Sequence, residues 1–213
     1  MSSPYKIKSP EGKVVSVRNI YCIGRNYLDH IQELNNEKPD APFYFQKSLS
    51  ALNTTDIIQL PKDREIHHEL EITVLINKDG ESIPSQDAGL YIGGYGLGLD
   101  LTDRSLQNEL KVKQLPWLLA KSFKGSAVIT EFQMEEITDP FWLTINGQKR
   151  QGGEVTQMIH AIPDQIAYLS NMIPLMKGDI LFTGTPKGVG PIQSGDALEM
   201  GIGAQSVKRL TAQ

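Results

Sequence analysis

The sequence predicts a β-rich α+β fold, on three observations. Strand-like runs outnumber helical ones, they do not alternate with helices as βαβ units would, and no internal repeat, low-complexity tract or linker-like composition shift interrupts the chain. One domain spanning residues 1–213 is therefore expected. A chain of this length can bury a substantial core without disulfides or a structural metal.

Val14 to Ile23 carries the apolar and β-branched residues of a strand, after which Asn26 to Leu34 turns helical until the polar run from Asn35 to Asp40 breaks it. A short helix between two loops is a lid candidate. Further strands are expected at Phe43 to Gln46, Ile57 to Leu60, His67 to Ile76, Gly94 to Thr102, Ala127 to Ile129, Trp142 to Asn146, Ile180 to Thr183 and Val207 to Thr211. Helices are expected at Asp103 to Lys113 and at Pro163 to Met172, the latter opening on a proline in its first turn.

A formal net charge of −4 gives no general attraction to nucleic acid or anionic membrane, so neither is an expected partner. Met1 to Lys13 lacks the apolar run of a secretory signal, and no stretch approaches the roughly 20 apolar residues of a membrane span. A cytoplasmic location is the expectation. The lone Cys22 cannot bridge within the chain or build a Cys-rich zinc site, and its setting between Tyr21 and Ile23 reads as strand core rather than nucleophile.

Several chemistries drop out for want of their motifs. Gly93-Gly94-Tyr95-Gly96-Leu97-Gly98 lacks G-x-G-x-x-G spacing and lies in an expected strand, and in Gly184-Thr185-Pro186-Lys187-Gly188 the lysine precedes a glycine where a P-loop needs a hydroxyl residue. There is no G-x-S-x-G elbow, and His67-His68-Glu69-Leu70-Glu71 is not H-E-x-x-H.

That last run carries another signal. From Glu69 to Ile76 the even positions are all aliphatic, whereas the odd ones begin Glu69, Glu71, Thr73. Successive strand residues alternate faces, so the two glutamates share one side, their Cα atoms roughly 7 Å apart. One reading is a solvated strand face. The other is a cation site, because like charges this close repel unless a cation joins them. Asp100, closing the glycine-rich run Gly96-Leu97-Gly98-Leu99, offers a third oxygen ligand where small residues let backbones approach. An all-oxygen set suits Mg²⁺ or Mn²⁺ better than zinc. His67 and His68 face opposite sides, so at most one joins the glutamates; His67 reads as structural or partly exposed, and His68 as core-facing or placed behind the ligands.

The runs Tyr21-Cys22-Ile23-Gly24-Arg25-Asn26-Tyr27, His67 to Glu71, Gly98-Leu99-Asp100-Leu101-Thr102, Leu115-Pro116-Trp117 with Ala120-Lys121-Ser122-Phe123, and Thr183 to Gly190 together resemble the fumarylacetoacetate hydrolase superfamily, in the family's order. The likeness is strongest to its short acylpyruvase and oxaloacetate decarboxylase branch. It implies a mixed β-sandwich roll of the family's C-terminal-domain type, a homodimer, metal ligands Glu69, Glu71 and Asp100, a catalytic Lys121, and His30 with Glu33 on a lid that closes over substrate. One departure stands out: the family commonly reads Thr-x-Arg-Asp after the metal aspartate, and this chain has Thr102-Asp103-Arg104-Ser105. Ser105 cannot supply that negative charge.

The resemblance implies hydrolysis of the C–C bond of acylpyruvates, with oxaloacetate decarboxylation as a second use of the same metal. Isomerase, tautomerase or hydratase chemistry on 2-oxo acids is the alternative, and a non-catalytic 2-oxo acid binding protein is another. A 2-oxo acid chelates a metal through its carboxylate and keto oxygens, and Lys121 adds positive charge where an enolate develops. His30 and Glu33, at i and i+3, are neighbours, so the glutamate can orient the imidazole and favour its protonated form while the histidine activates water. Arg25, Lys47, Arg104 and Gln107 are candidates for carboxylate recognition. Thr185 lies in a Gly-Thr-Pro turn that is either a carboxylate cradle or simply a tight turn.

Overall fold

The computed structural model describes residues 5–33, 37 and 39–213, so the expected end of the first helix at Leu34 and half of the loop after it lie outside the described residues. The centre is a seven-stranded sheet in the order Phe43–Lys47, Ile20–Gly24, Ile180–Phe182, Leu70–Ile76, Ile92–Asp100, Ala127–Ile129 and Leu52–Asn53. It is mixed, with Ile180–Phe182 parallel to Ile20–Gly24 and Ala127–Ile129 parallel to Leu52–Asn53. A five-stranded sheet runs Gln148–Gly153, Phe141–Ile145, Ala197–Ile202, Gln205–Ala212 and Ile57–Ile58.

The aliphatic row Leu70, Ile72, Val74 and Ile76 packs with Leu97 and Leu99 against Phe141, Leu143 and Met200 of the second sheet, and against Ile166 and Leu169 of the helix Ile162–Met172. Each such side chain, fully buried, contributes about 1.5–3 kcal/mol. The opposite face of the central sheet is covered as well, by a cluster that includes Cys22, Ala127, Ile129, Ile180 and Phe182. Burial pushes the Cys22 thiol well up, as its core position requires. The result is the expected β-rich α+β fold of curled mixed sheets. Among the described residues no helix is long and apolar enough to cross a membrane.

Two expected strands are broken where they matter most. His67 to Ile76 divides into Ile66–His68 and Leu70–Ile76, and Gly94 to Thr102 into Ile92–Asp100 and Thr102–Asp103. Both breaks arise because the chain changes sheets: Ile66–His68 and Thr102–Asp103 pair in a separate three-stranded sheet with Gly190–Pro191. Val14 to Ile23 also divides, into Val14–Ser16 and Ile20–Gly24. Gln148–Gly153 was not expected as a strand, although Asn146-Gly147, both at positive φ, forms the two-residue turn that returns it along Phe141–Ile145.

Candidate active site

The sheet-switching corner gathers the carboxylates. Glu71 pairs with Gly98 across the central strands, and the Asp100 amide donates to the Glu69 carbonyl at 2.9 Å. Gly98 is required there, since a Cβ would lie 2.7 Å from the Phe182 ring and 2.8 Å from the Val128 carbonyl oxygen. Glu69, Glu71 and Asp100 are all buried, which excludes the solvated-face reading. One carboxylate oxygen from each lies within 4.8 Å of the other two, so a single cation can touch all three.

Charge compensation is uneven among the three. The Lys121 ammonium donates to Glu69 Oε2 at 2.8 Å, Asp100 Oδ2 at 2.6 Å and Thr102 Oγ1 at 2.7 Å. The Arg104 guanidinium donates to Glu69 Oε1 at 2.5 Å, and Lys47 Nζ lies 2.7 Å from Asp100 Oδ1. Glu71 has only the Gly184 amide, at 2.7 Å, and no ion pair among the described residues. Burial first, then the charges of Asp100 and Glu69, push its carboxyl well above the ordinary range. Burial works against ionised Glu69 too, but Lys121 first and then Arg104 overcome it and hold its carboxyl below the usual values. Burial likewise opposes the Lys121 charge, and Asp100 with Glu69 reverses the balance, so its ammonium is held above the ordinary lysine range. An all-oxygen donor set with one uncompensated buried carboxylate fits a hard divalent cation.

A cleft is lined by Arg25, His30, Glu69, Glu71, Arg104, Gln107, Lys121 and Thr185, and on its more solvent-exposed side by the half-buried Phe43, Phe45, Lys111 and Trp117. Lys47 does not line it. Its side chain is completely buried beneath Asp100, donating to the Leu101 and Lys121 carbonyls and to Ser126 Oγ, which sets it apart from the other expected carboxylate binders. Glu33 is also outside the cleft; it accepts from the Gly188 amide at 2.9 Å and meets His30 Nδ1 at 3.3 Å. A carboxylate only accepts, so Nδ1 carries the proton and Nε2 is left as the basic nitrogen. Burial lowers the His30 pKa more than Glu69 and Glu33 raise it, so the imidazole is neutral rather than held protonated as the sequence pairing suggested.

The departure at Ser105 is accommodated. Ser105 Oγ donates to Glu65, Asp103 caps the helix Arg104–Val112 by accepting from the Leu106 amide, and Arg104 is oriented by Glu69 and by Gln107 Oε1 at 2.6 Å. In the Gly-Thr-Pro turn, the Gly184 amide serves Glu71 and the Thr185 hydroxyl donates to the Leu70 carbonyl. Gln151 was missed in the sequence, yet it ties the site together by accepting from His68 Nδ1 and the Leu70 amide while donating to Thr185 Oγ1. His68 is buried behind the ligands, and His67 pairs with Glu65 at 2.9 Å. Lys111 was missed too, although Arg104, Gln107 and Lys111, at i, i+3 and i+7, share one face of a helix.

Fold and cleft together define a β-rich α+β protein with a buried, all-oxygen acidic site beside a small polar cleft. The chain belongs to the fumarylacetoacetate hydrolase family: the model of the family described as Fumarylacetoacetate (FAA) hydrolase C-terminal matches residues 19–212. It is 44% identical over 192 residues to the mitochondrial oxaloacetate tautomerase FAHD1 of Homo sapiens, covering 87% of each chain. It is 39% identical over 193 residues to the mitochondrial oxaloacetate decarboxylase of Dictyostelium discoideum, covering 87% of this chain and 88% of the relative. The crystal structure of fumarylpyruvate hydrolase from Pseudomonas aeruginosa in complex with Mn²⁺ and pyruvate superposes with a TM-score of 0.92 at 29% identity, over 100% of this chain and 97% of that one.

Proposed function

We propose that this protein is a divalent-metal-dependent enzyme that forms and reprotonates the enolate of a small 2-oxo acid, with keto–enol tautomerisation of oxaloacetate as its activity. The observation that carries this reading is the convergence, in one cleft, of a neutral histidine base, a buried ammonium and two carboxylates, Glu69 and Glu71, with Asp100 buried within reach of both. The tautomerase and decarboxylase names of its relatives, and the Mn²⁺ and pyruvate of its structural neighbour, support it. Glu69, Glu71 and Asp100 would hold Mg²⁺ or Mn²⁺, which supplies a Lewis acid for the 2-keto oxygen. His30 Nε2 takes the proton from C3; the C–H electron pair becomes the C2–C3 double bond, the keto oxygen receives the charge, and that oxygen is then protonated as His30 gives its proton up, directly or through water. Arg104 and Gln107 would meet the 1-carboxylate, and Arg25 and Thr185 line the same cleft. Lys121 keeps the carboxylates neutralised and adds positive charge near the developing enolate.

Acylpyruvate hydrolysis is the second reading, favoured by the His30–Glu33 pair, because water attack on a distal carbonyl needs a base. Turnover of the oxaloacetate enol, oxaloacetate and a set of acylpyruvates with Mg²⁺ tests both readings; no turnover of any would sink them. Lys121→Met is expected to lower kcat by about 10²-fold or more, the range for a lost electrostatic donor. A rise in KM alone would remove Lys121 from that role.

His30 gives the pH dependence. Because burial lowers its pKa from 6.5, the base form persists at pH 7, and the rate falls only as pH drops below 6.5. His30→Ala should cost tautomerisation and hydrolysis roughly 10²-fold and decarboxylation less, since loss of CO₂ needs no base. An acid limb centred above pH 6.5, or one that survives in His30→Ala, would assign the titration to another group.

A further inference from the structure

Around the carboxylate trio the charges are balanced, Glu69, Glu71 and Asp100 against Arg104, Lys121 and the underlying Lys47. At the cleft mouth they are not. Lys111 lines the cleft half buried and belongs to no salt bridge among the described residues. Its ammonium sits 5.4 Å from the centroid of the Trp117 ring, which anchors it against the cleft wall. Burial first, then the like charges of Arg104 and Arg25, press against that ammonium, and Glu69 opposes them. Such a cation costs free energy that an anionic group at the mouth recovers.

We infer that Lys111, seated on Trp117, is the subsite for the second carboxylate of a dicarboxylic 2-oxo acid, and that it makes the cleft select such an acid over its monocarboxylic counterpart. Its position fits the task. Arg104, Gln107 and Lys111 follow one another along one helix face, so Lys111 stands one turn, about 6 Å, beyond Gln107 and away from the carboxylate trio. A ligand whose first carboxylate meets Arg104 and Gln107, with its keto group toward the trio, leaves its second carboxylate to the next cation along that face, Lys111. This inference rests on the 2-oxo acid reading above.

The test uses unreactive ligands and reads binding. Malate and lactate differ only by the second carboxylate, and each is titrated calorimetrically against the Mg²⁺-loaded protein in competition with oxalate. The wild type should prefer malate about tenfold or more, the scale of one charge-assisted contact. Lys111→Met should erase most of that preference, and Lys111→Arg, which keeps the charge, should retain it. Lys111→Gln serves as a second neutral variant should the methionine disturb folding. An unchanged preference in both neutral variants, or equal binding of malate and lactate by the wild type, overturns the subsite. Failure of oxalate itself to bind would instead overturn the 2-oxo acid reading on which the subsite stands.

Discussion

Glu71→Gln should lose metal-dependent turnover by at least about 10²-fold while the protein keeps its fold. Among the described residues, Glu71 is the one member of the trio that no lysine or arginine pairs with, and its carboxyl lies buried beside Asp100 and Glu69. Glutamine keeps an oxygen to accept from the Gly184 amide and removes the repulsion, so Tm in chelator should stay level or rise. The gain in Tm on adding Mg²⁺ or Mn²⁺, which reports binding to the folded state alone, should vanish. Undiminished metal-induced stabilisation in Glu71→Gln would place the cation elsewhere. Glu69 and Asp100 also neutralise buried cations, so alanine there should destabilise as well as inactivate.

Lys47→Met should cost about 3–5 kcal/mol of stability, the range for stripping one partner from a buried ion pair. Its ammonium is completely buried, 2.7 Å from Asp100 Oδ1, and also bonds the Lys121 carbonyl, so one side chain fixes both a carboxylate and the segment carrying the active-site lysine. For a chain of this size, such a loss lowers Tm by on the order of 10 °C. Denaturant unfolding of the chelator-treated protein measures it without reference to activity. A loss below about 1 kcal/mol together with a raised substrate KM would return Lys47 to the carboxylate-binding role its position in the sequence suggested.

What the sequence determined by itself was what periodicity and local motifs carry. The even aliphatic row from Leu70 to Ile76 specified a strand and its core face, and the period of two put Glu69 and Glu71 on the other side. Asp100 was reachable because glycines before it signalled a close approach of two backbones, which the Glu71–Gly98 pairing realises. Tertiary structure decided the rest. No local pattern encodes that the second face of Leu70–Ile76 is also buried, or that Lys47, some fifty residues from Asp100 in the chain, lies beneath it rather than in the cleft. Nor does it encode that Gln151 ties His68, Leu70 and Thr185 together. Charge balance and burial depend on which side chains long-range strand pairing brings within a few ångströms, so the same lysine or histidine reads alike in sequence whether it binds substrate, holds a carboxylate or, as with His30, loses its proton to desolvation.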